Sequence, residues 1–241
     1  MVYKKFVYRL SPEDFYELLT TLKGGVEILS EGEAFVEFAL YEPLEGFEPI
    51  NVLEVKVVKP QEVFKPFRVK DFLVVPQWLV PLHIRQASAF GTGLHPTTRL
   101  CLELISEYFH EGWSALDVGT GTGILAIAMK KKGAGKVLAI DIDPTAVEEC
   151  MKNASSNCVE VECKLTDLRD IRENFDFLVA NLELKIFKEL TPKLLRTFKK
   201  RAVFSGLYGK EELREFKKLL VGVRPVRIKR RQGWYALLVE R

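Results

Sequence analysis

The stretch "LDVGTGTGILAIA", Leu116–Ala128, decides the fold, because three glycines at alternate positions separate an apolar run from a helical one. Glycine is favoured where a backbone must turn tightly or approach a ligand closely, since it has no Cβ. Residues 115–118 are predicted to be a buried strand, and the apolar spacing from Ile124 onward predicts a helix. The glycines therefore lie on a strand-to-helix turn, where the N-terminus of the helix offers free N–H groups to an anionic ligand.

Length and composition predict one large α/β domain with a smaller partner domain. The chain has 241 residues, of which 47% are hydrophobic, and its formal net charge is +3. That charge argues neither for nor against a nucleic-acid partner. With no signal-peptide pattern and no run near the roughly 18 apolar residues of a membrane span, we expect a cytoplasmic protein without a membrane partner. The four cysteines form no C-x-x-C pair, which predicts reduced, buried thiols and no metal site.

Three parts are predicted along the chain. Residues 1–58 follow a β-α-β-β-(x)-β pattern, which predicts a small α+β domain of truncated ferredoxin-like type that recognises the substrate. Residues 59–86 contain four prolines and are predicted to form a bridge. Residues 87–241 alternate helix and strand, which predicts a mostly parallel sheet with helices on both faces. The last two strands are joined by a short turn at Gln232 and Gly233, so the final strand is predicted to run antiparallel to its neighbours.

Acidic residues near the glycines indicate which nucleotide this turn holds. Asp141 follows the next predicted strand, where a carboxylate accepts hydrogen bonds from the ribose of NAD or of S-adenosylmethionine. Asp117 would repel a pyrophosphate but suits a ligand that carries an amino group. Asp167 ends a later segment, where it can accept the exocyclic amine of adenine. These acids favour S-adenosylmethionine, although the G-x-G-x-x-A match that begins at Gly121 leaves a dinucleotide open on that signal alone.

A second glycine-containing stretch, "AFGTGLHPTT" at residues 89–98, precedes the first predicted helix of the large domain. Gly91 and Gly93 give the backbone freedom, and Pro96 fixes the exit into the helix, a combination suited to a lid over a bound cofactor. The two threonines that follow are predicted to cap the helix. The Thr98 hydroxyl is also expected to reach the cofactor.

From about Phe64 to Arg241 the sequence resembles the class I methyltransferases that act on ribosomal protein L11. The stretches "AFGTGLHPTT", "LDVGTGTGILAIA", "AIDIDPTAVE", "VANL" and "SGLYGKE" occur in the family's order. The resemblance implies a Rossmann-like sheet, S-adenosylmethionine as cofactor and ribosomal protein L11 as partner. The domain before this region is shorter than the family's usual ferredoxin-like domain.

The resemblance also implies a set of cofactor contacts, made by Thr98, Gly119, Asp141 and Asn181. It implies that the loop from Phe90, with Gly91 and Thr92, covers the methionyl end of the cofactor. Gly121, Asp117 and Asp167 join this set from the residue pattern of the glycine turn and its neighbouring acids.

Asn181 is the candidate catalytic residue. Methyl transfer from a sulfonium is an in-line displacement, so the enzyme mainly has to hold a neutral amine behind the methyl carbon. Deprotonating a lysine of pKa ~10.4 at pH 7 costs about 4.6 kcal/mol, and desolvation beside the sulfonium lowers that cost. The side-chain oxygen of Asn181 and nearby backbone carbonyls are predicted to accept hydrogen bonds from the target nitrogen. A cap at the end of a strand is the other interpretation of this residue.

The predicted function is therefore methylation of lysine side chains or the N-terminal amine of ribosomal protein L11, with three alternatives. An RNA methyltransferase acting on ribosomal RNA is the nearest, because "RPVRIKRR" at residues 224–231 is basic. That segment lacks interleaved aromatic residues beyond Trp234 and Tyr235, so no stable nucleic-acid complex is expected. An NAD oxidoreductase is disfavoured by Asp117. A non-catalytic binder of ribosomal components would not need an adenosine site.

Overall fold

The computed structural model describes residues 2–22, 24–56, 65–85 and 91–241. They form two compact units, which divide between Leu79 and Val80. The predicted division into a recognition domain, a bridge and a methyltransferase domain stays a prediction, and part of the bridge lies outside the described residues.

The first unit contains a four-stranded antiparallel sheet with the order β2-β3-β1-β4. Its strands are β1 (Val2–Leu10), β2 (Glu27–Glu31), β3 (Val36–Leu40) and β4 (Asn51–Lys56). Helix α1 (Pro12–Leu19) begins after the N-cap Ser11, whose hydroxyl accepts the Asp14 N–H, and it buries Phe15 against Tyr8 and Phe38. This is the ferredoxin-like strand order with a loop in place of the second helix, as the sequence predicts. A short ribbon, β5 (Phe67–Val69) with β6 (Phe72–Val74), completes the unit.

The second unit is a seven-stranded sheet with the order β12-β13-β11-β10-β7-β8-β9. The strands are β7 (Ser114–Val118), β8 (Lys136–Asp141), β9 (Glu162–Leu165), β10 (Phe175–Asn181), β11 (Phe198–Tyr208), β12 (Arg224–Arg231) and β13 (Trp234–Glu240). Strands β7 to β11 are parallel, whereas β13 is antiparallel to β11 and to β12. The prediction of a class I methyltransferase-like sheet with an antiparallel last strand is confirmed.

Helices cover both faces of this sheet. Apolar residues of the strands and helices form two separate clusters, one on each face. The helices are α2 (Pro96–Tyr108), α3 (Ile124–Lys131), α4 (Pro144–Ser156), α5 (Leu184–Thr197) and α6 (Gly209–Leu219). On one side α2 and α3 bury Leu104 and Met129, and on the other α5 and α6 bury Phe187 and Phe216. None of the helices that the structure describes is both long and apolar enough to cross a membrane.

The turn that reverses the chain before β13 has two residues with positive φ, Gln232 at 50° and Gly233 at 84°. Such a pair is typical of the two-residue hairpin turn whose twist matches that of the flanking strands. A Cβ on Gly233 would lie 2.8 Å from the Tyr208 ring. Glycine is therefore required here both by the backbone angle and by the close ring.

The expectation that all four thiols are reduced and buried is wrong. Cys150 in α4 and Cys163 in β9 form a disulfide, and Cys158 is exposed, while Cys101 is buried as a thiol. Packing of α4 beside the edge strand β9 brings the two Cα atoms of the bridge to 6.2 Å. The sequence did not reveal the pair, because that spacing matches no short redox motif.

Candidate active site

A cavity of about 740 Å³ lies at the carboxyl ends of the parallel strands in the second unit. In open α/β sheets this edge is where ligands bind, and the volume is in the range of small-molecule sites. Of the residues predicted to form the site, the cavity is lined by Gly119, Gly121, Asp141, Asp167 and Asn181. The strand ends thus bring together five predicted residues that are spread over more than sixty positions.

The glycine turn forms one wall of the cavity. Gly119, Gly121 and Gly123 have φ angles of 72°, 53° and 80°, in the left-handed region that favours glycine. A Cβ on Gly119 would lie 2.5 Å from Leu182 Cδ2. Glycine therefore allows the first residue of the turn to approach the segment that follows β10.

Asp141 ends β8 and connects the glycine turn to the cavity. Its Oδ2 accepts a hydrogen bond from the Gly121 N–H at 3.0 Å, and its Oδ1 accepts one from the Asp143 N–H at 3.1 Å. Each carboxylate oxygen can accept a further hydrogen bond. The side chain is thus held by the backbone and still has acceptor capacity toward a ligand.

Asp117 is fully buried and does not line the cavity. Its Oδ2 accepts the Thr120 hydroxyl at 2.7 Å and the Ala126 N–H at 3.2 Å, so it links the glycine turn to the first turn of α3. Its Oδ1 is buried without a hydrogen-bond partner among the described residues. Burial raises the pKa of this carboxyl to about 7, and the charge of Asp141 adds to the rise, although the two hydrogen bonds oppose it. Contact between Asp117 and a cofactor stays a prediction.

The loop before α2 is hydrogen-bonded to the glycine turn. The Thr122 hydroxyl donates to the Gly91 carbonyl at 2.6 Å, and Arg99 Nε donates to the Gly93 carbonyl at 3.2 Å. Gly91 does not line the cavity, and neither does the exposed Thr92. Phe90 lies outside the described residues. The predicted cofactor contacts of this loop therefore stay predictions.

The start of α2 differs from the expectation that its threonines cap it. The N-cap is His95, whose Nδ1 accepts the Thr97 N–H, and Pro96 occupies the first helical position. Proline suits the first helical position because the N–H that it lacks would be unpaired there. With Pro96 at this position, the cap is the preceding residue, His95. Thr98 lies inside the first turn, 1% exposed, and its Oγ1 has no partner in the described part of the chain. It does not line the cavity, so its contact with a cofactor stays a prediction.

Asn181 ends β10 and faces the same cavity. Its Nδ2 donates to Thr97 Oγ1 at 3.1 Å. No described residue donates to its Oδ1, which is left as an acceptor. Beside it, a Cβ on Gly206 would lie 2.2 Å from the Leu182 carbonyl oxygen, so this glycine lets β11 pass close to the backbone that follows Asn181.

The lining residues that sequence reasoning missed include His95, Thr97 and Trp234. The His95 and Trp234 rings meet edge to face at 4.8 Å, and Trp234 meets Tyr208 in the same way at 5.1 Å. The signal for His95 and Thr97 was their place in the glycine-containing stretch. Trp234 gave no local signal, because only the antiparallel pairing of β13 brings it to this edge.

Asp167 lines the cavity and caps a single 3₁₀ turn, Leu168–Asp170. Its Oδ1 accepts the Arg169 N–H at 2.8 Å, and its Oδ2 lies 3.2 Å from the Arg169 guanidinium. The carboxylate is partly engaged, so an additional bond to an adenine amine stays a prediction. No cluster of metal-ligating side chains occurs within the four described ranges.

Known sequences that are similar to this chain point to one protein family. The family model described as Ribosomal protein L11 methyltransferase (PrmA) matches residues 57–241. A protein from Aquifex aeolicus named ribosomal protein L11 methyltransferase is 45% identical over 243 aligned positions, which cover 100% of this chain and 99% of that protein. Because this alignment runs over both whole chains, the short N-terminal unit is shared with that relative.

Two solved structures are similar to about three fifths of this chain. The crystal structure of ribosomal protein L11 methylase from Lactobacillus delbrueckii subsp. bulgaricus has a TM-score of 0.59 and 32% identity, and the match covers 62% of this chain and 80% of that one. Magnesium protoporphyrin IX methyltransferase from Synechocystis, solved with bound SAM, has a TM-score of 0.50 and 17% identity over 60% of this chain and 77% of that one. The second likeness shows the fold alone.

Proposed function

Since this chain belongs to the ribosomal protein L11 methyltransferase family, we propose that it methylates amino groups of ribosomal protein L11 with S-adenosylmethionine. The target amines in this proposal are lysine side chains, the N-terminal amine, or both. The single observation that carries it is that Asp141 and Asn181 line one cavity on either side of the glycine turn. In this proposal, Asp141 binds the nucleoside part of the cofactor and Asn181 binds the amine.

The residues present fit the cofactor. The glycine turn leaves room for close backbone approach, and the Asp141 carboxylate has acceptor capacity for two ribose hydroxyls. When bound, S-adenosylmethionine supplies an electrophilic methyl group on a sulfonium. Apolar side chains, including Val118, Ile140 and Leu182, line much of the remaining wall and would exclude water from a bound adenosine.

Asn181 is proposed to orient the acceptor amine. Its Oδ1 accepts a hydrogen bond from the nitrogen, and backbone carbonyls near it are candidates for a second. Such bonds direct the nitrogen lone pair toward the methyl carbon, which is the main requirement of an in-line displacement. The amine reacts after losing its proton, and an apolar wall next to a positive centre favours that neutral form.

The RNA alternative is not favoured. In the basic strand β12, Arg224 pairs with Glu240, Lys229 with Glu103 and Glu107, and Arg231 with Glu103. These intramolecular ion pairs account for most of the basic residues in the segment. The proposal assigns recognition of the protein substrate to the small N-terminal domain, residues 1–58, and locates the reaction in the cytoplasm, with no nucleic acid, membrane or metal as a partner.

The proposal is tested by incubating the full chain with labelled S-adenosylmethionine and, separately, with free ribosomal protein L11 and with ribosomal RNA. Label is expected in L11, at amines identified by peptide mass spectrometry. Asn181→Ala is expected to lower the turnover of L11 at least tenfold. Label in the RNA, or none in L11 under conditions where the cofactor binds, would contradict the proposed function.

A further inference from the structure

A chain of hydrogen bonds leads from the start of α2 to Asn181. The Thr97 N–H donates to His95 Nδ1 at 3.4 Å, and Thr97 Oγ1 lies 2.7 Å from the same nitrogen. Asn181 Nδ2 lies 3.1 Å from Thr97 Oγ1. All three residues line the cavity.

The direction of every bond in this chain follows from the backbone. An N–H group can only donate, so His95 Nδ1 must be an acceptor and carries no proton. The Thr97 hydroxyl then donates its single proton to Nδ1, which leaves only lone pairs of Oγ1 to face Asn181. The Asn181 group that points at Thr97 must therefore be the NH₂ group, and the amide oxygen is turned the other way.

We propose that His95 and Thr97 are positioning residues for the methyl transfer, which hold the Asn181 amide so that its oxygen faces the acceptor amine. This inference rests on the proposed function. Without these hydrogen bonds, the Asn181 amide could rotate by half a turn and present its NH₂ group to the acceptor amine. The hydrogens of that NH₂ group would repel the hydrogens of the amine, whereas the amide oxygen accepts a hydrogen bond from them. His95 and Thr97 remove that second orientation.

Aromatic packing holds the His95 imidazole in the orientation in which Nδ1 accepts hydrogen bonds from Thr97. The His95 ring meets the Trp234 indole edge to face, with an interplanar angle of 70°, and Trp234 in turn packs against Tyr208. Gly233 leaves room for the Tyr208 ring, since a Cβ at this position would lie 2.8 Å from it. The tight turn before β13 thus contributes to the orientation of His95.

Thr97→Val separates positioning from a purely structural role, because the helix cap uses the Thr97 N–H and not its hydroxyl. Thr197→Val is the matched control: its hydroxyl is also buried, and it donates to the Lys193 carbonyl in α5 away from the cavity. We expect Thr97→Val to lower kcat for L11 methylation about tenfold, the equivalent of one lost hydrogen bond. The KM for L11 and the Kd for S-adenosylmethionine should each change less than about twofold, and Thr97→Ser should restore most of the activity.

His95 is tested in the same assay with a conservative pair of variants. His95→Asn retains an acceptor for both Thr97 groups and is expected to keep most of the wild-type kcat, whereas His95→Ala is expected to lose it about tenfold. A kcat for Thr97→Val equal to that of Thr197→Val would overturn the inference. Equal losses in His95→Asn and His95→Ala would also overturn it.

A measurement without substrate keeps this inference separate from the proposed function. In the wild-type chain, ¹⁵N NMR of the histidines, assigned with His95→Asn, should show the His95 proton on Nε2 in the neutral ring. A proton on Nδ1 would overturn the inference whether or not the protein methylates L11. Absence of methylation by the wild-type chain, with the Nε2 tautomer present, would count against the proposed function alone.

Discussion

Asp141 Oδ2 accepts the Gly121 N–H at 3.0 Å, so the carboxylate proposed to bind the ribose also holds the glycine turn. The same residue therefore contributes to the shape of the cavity and, in the proposed function, to its affinity for the cofactor. Asp117 does not line the cavity; buried in the core, it accepts the Thr120 hydroxyl of the glycine turn and the Ala126 N–H of α3.

Asp141→Ala should weaken binding of S-adenosylmethionine, because it removes a charged acceptor from two hydroxyls, each bond being worth about 1.5–3 kcal/mol. Calorimetry on the folded variant measures the change. Asp170→Ala, which removes an exposed carboxylate outside the cavity, is the control. Unchanged affinity in a folded Asp141→Ala protein would contradict the assignment.

Asp117 should make the free energy of unfolding fall as the pH rises from about 4 to 7. Its folded-state pKa of about 7 exceeds the ordinary value of 3.8, so in this range the folded state binds more protons than the unfolded state. Asp117→Asn removes the titration. Between pH 5 and pH 8, melting temperatures of the wild type should fall relative to those of the variant. Parallel curves would show that the carboxyl is already ionised at pH 5.

Thr98→Val tests the predicted role of this threonine in binding. Since His95 caps α2, loss of the Thr98 hydroxyl should leave the melting temperature without ligand near that of the wild type. The added stabilisation by S-adenosylmethionine should shrink, because a ligand stabilises only as its affinity allows. Melting curves with and without cofactor measure both quantities, and a full ligand-induced shift in the variant would remove Thr98 from the site.

The disulfide should stabilise the large unit by about 3 kcal/mol, the value for a closed loop of this size. Replacing Cys150 and Cys163 together by serine should lower the melting temperature, and dithiothreitol should have the same effect on the wild type. Cys158→Ser is the control, since that thiol is exposed and unbridged. If dithiothreitol leaves the wild-type curve unchanged, the bridge contributes no stability.

Removing the first unit, up to Leu79, should leave a chain that binds S-adenosylmethionine but methylates L11 poorly. The boundary follows the division into two compact units, and the cavity is lined by second-unit residues. Binding by calorimetry and transfer with labelled cofactor are measured on the same preparation. Full transfer activity after truncation would mean that L11 docks on the large unit.

Local patterns were sufficient to predict the strand-turn-helix around the glycines, the alternating elements and the closing hairpin. Each depends on features within a few residues: apolar period, glycine where φ is positive, and a two-residue turn at Gln232 and Gly233. Asp141 followed from its position at a strand end. Parallel strands place their carboxyl ends at one edge of the sheet, so the predicted topology already implied that Asp141 and Asn181 lie near each other.

By itself, then, the sequence determined the fold class, the family and the edge of the sheet where the cavity lies, because these depend on short-range spacing and on strand order. Only the tertiary structure decided which side chains meet at that edge. Thr97 and Asn181 are 84 positions apart, Trp234 arrives through the antiparallel strand β13, and Cys150 reaches Cys163 because α4 packs beside β9. Contacts of this kind depend on the packing of helices against the sheet, which no local pattern encodes. The cap of α2 is His95 and not a threonine for a local reason, because proline occupies the first helical position. The hydrogen bonds that connect His95 through Thr97 to Asn181 exist only in the folded chain.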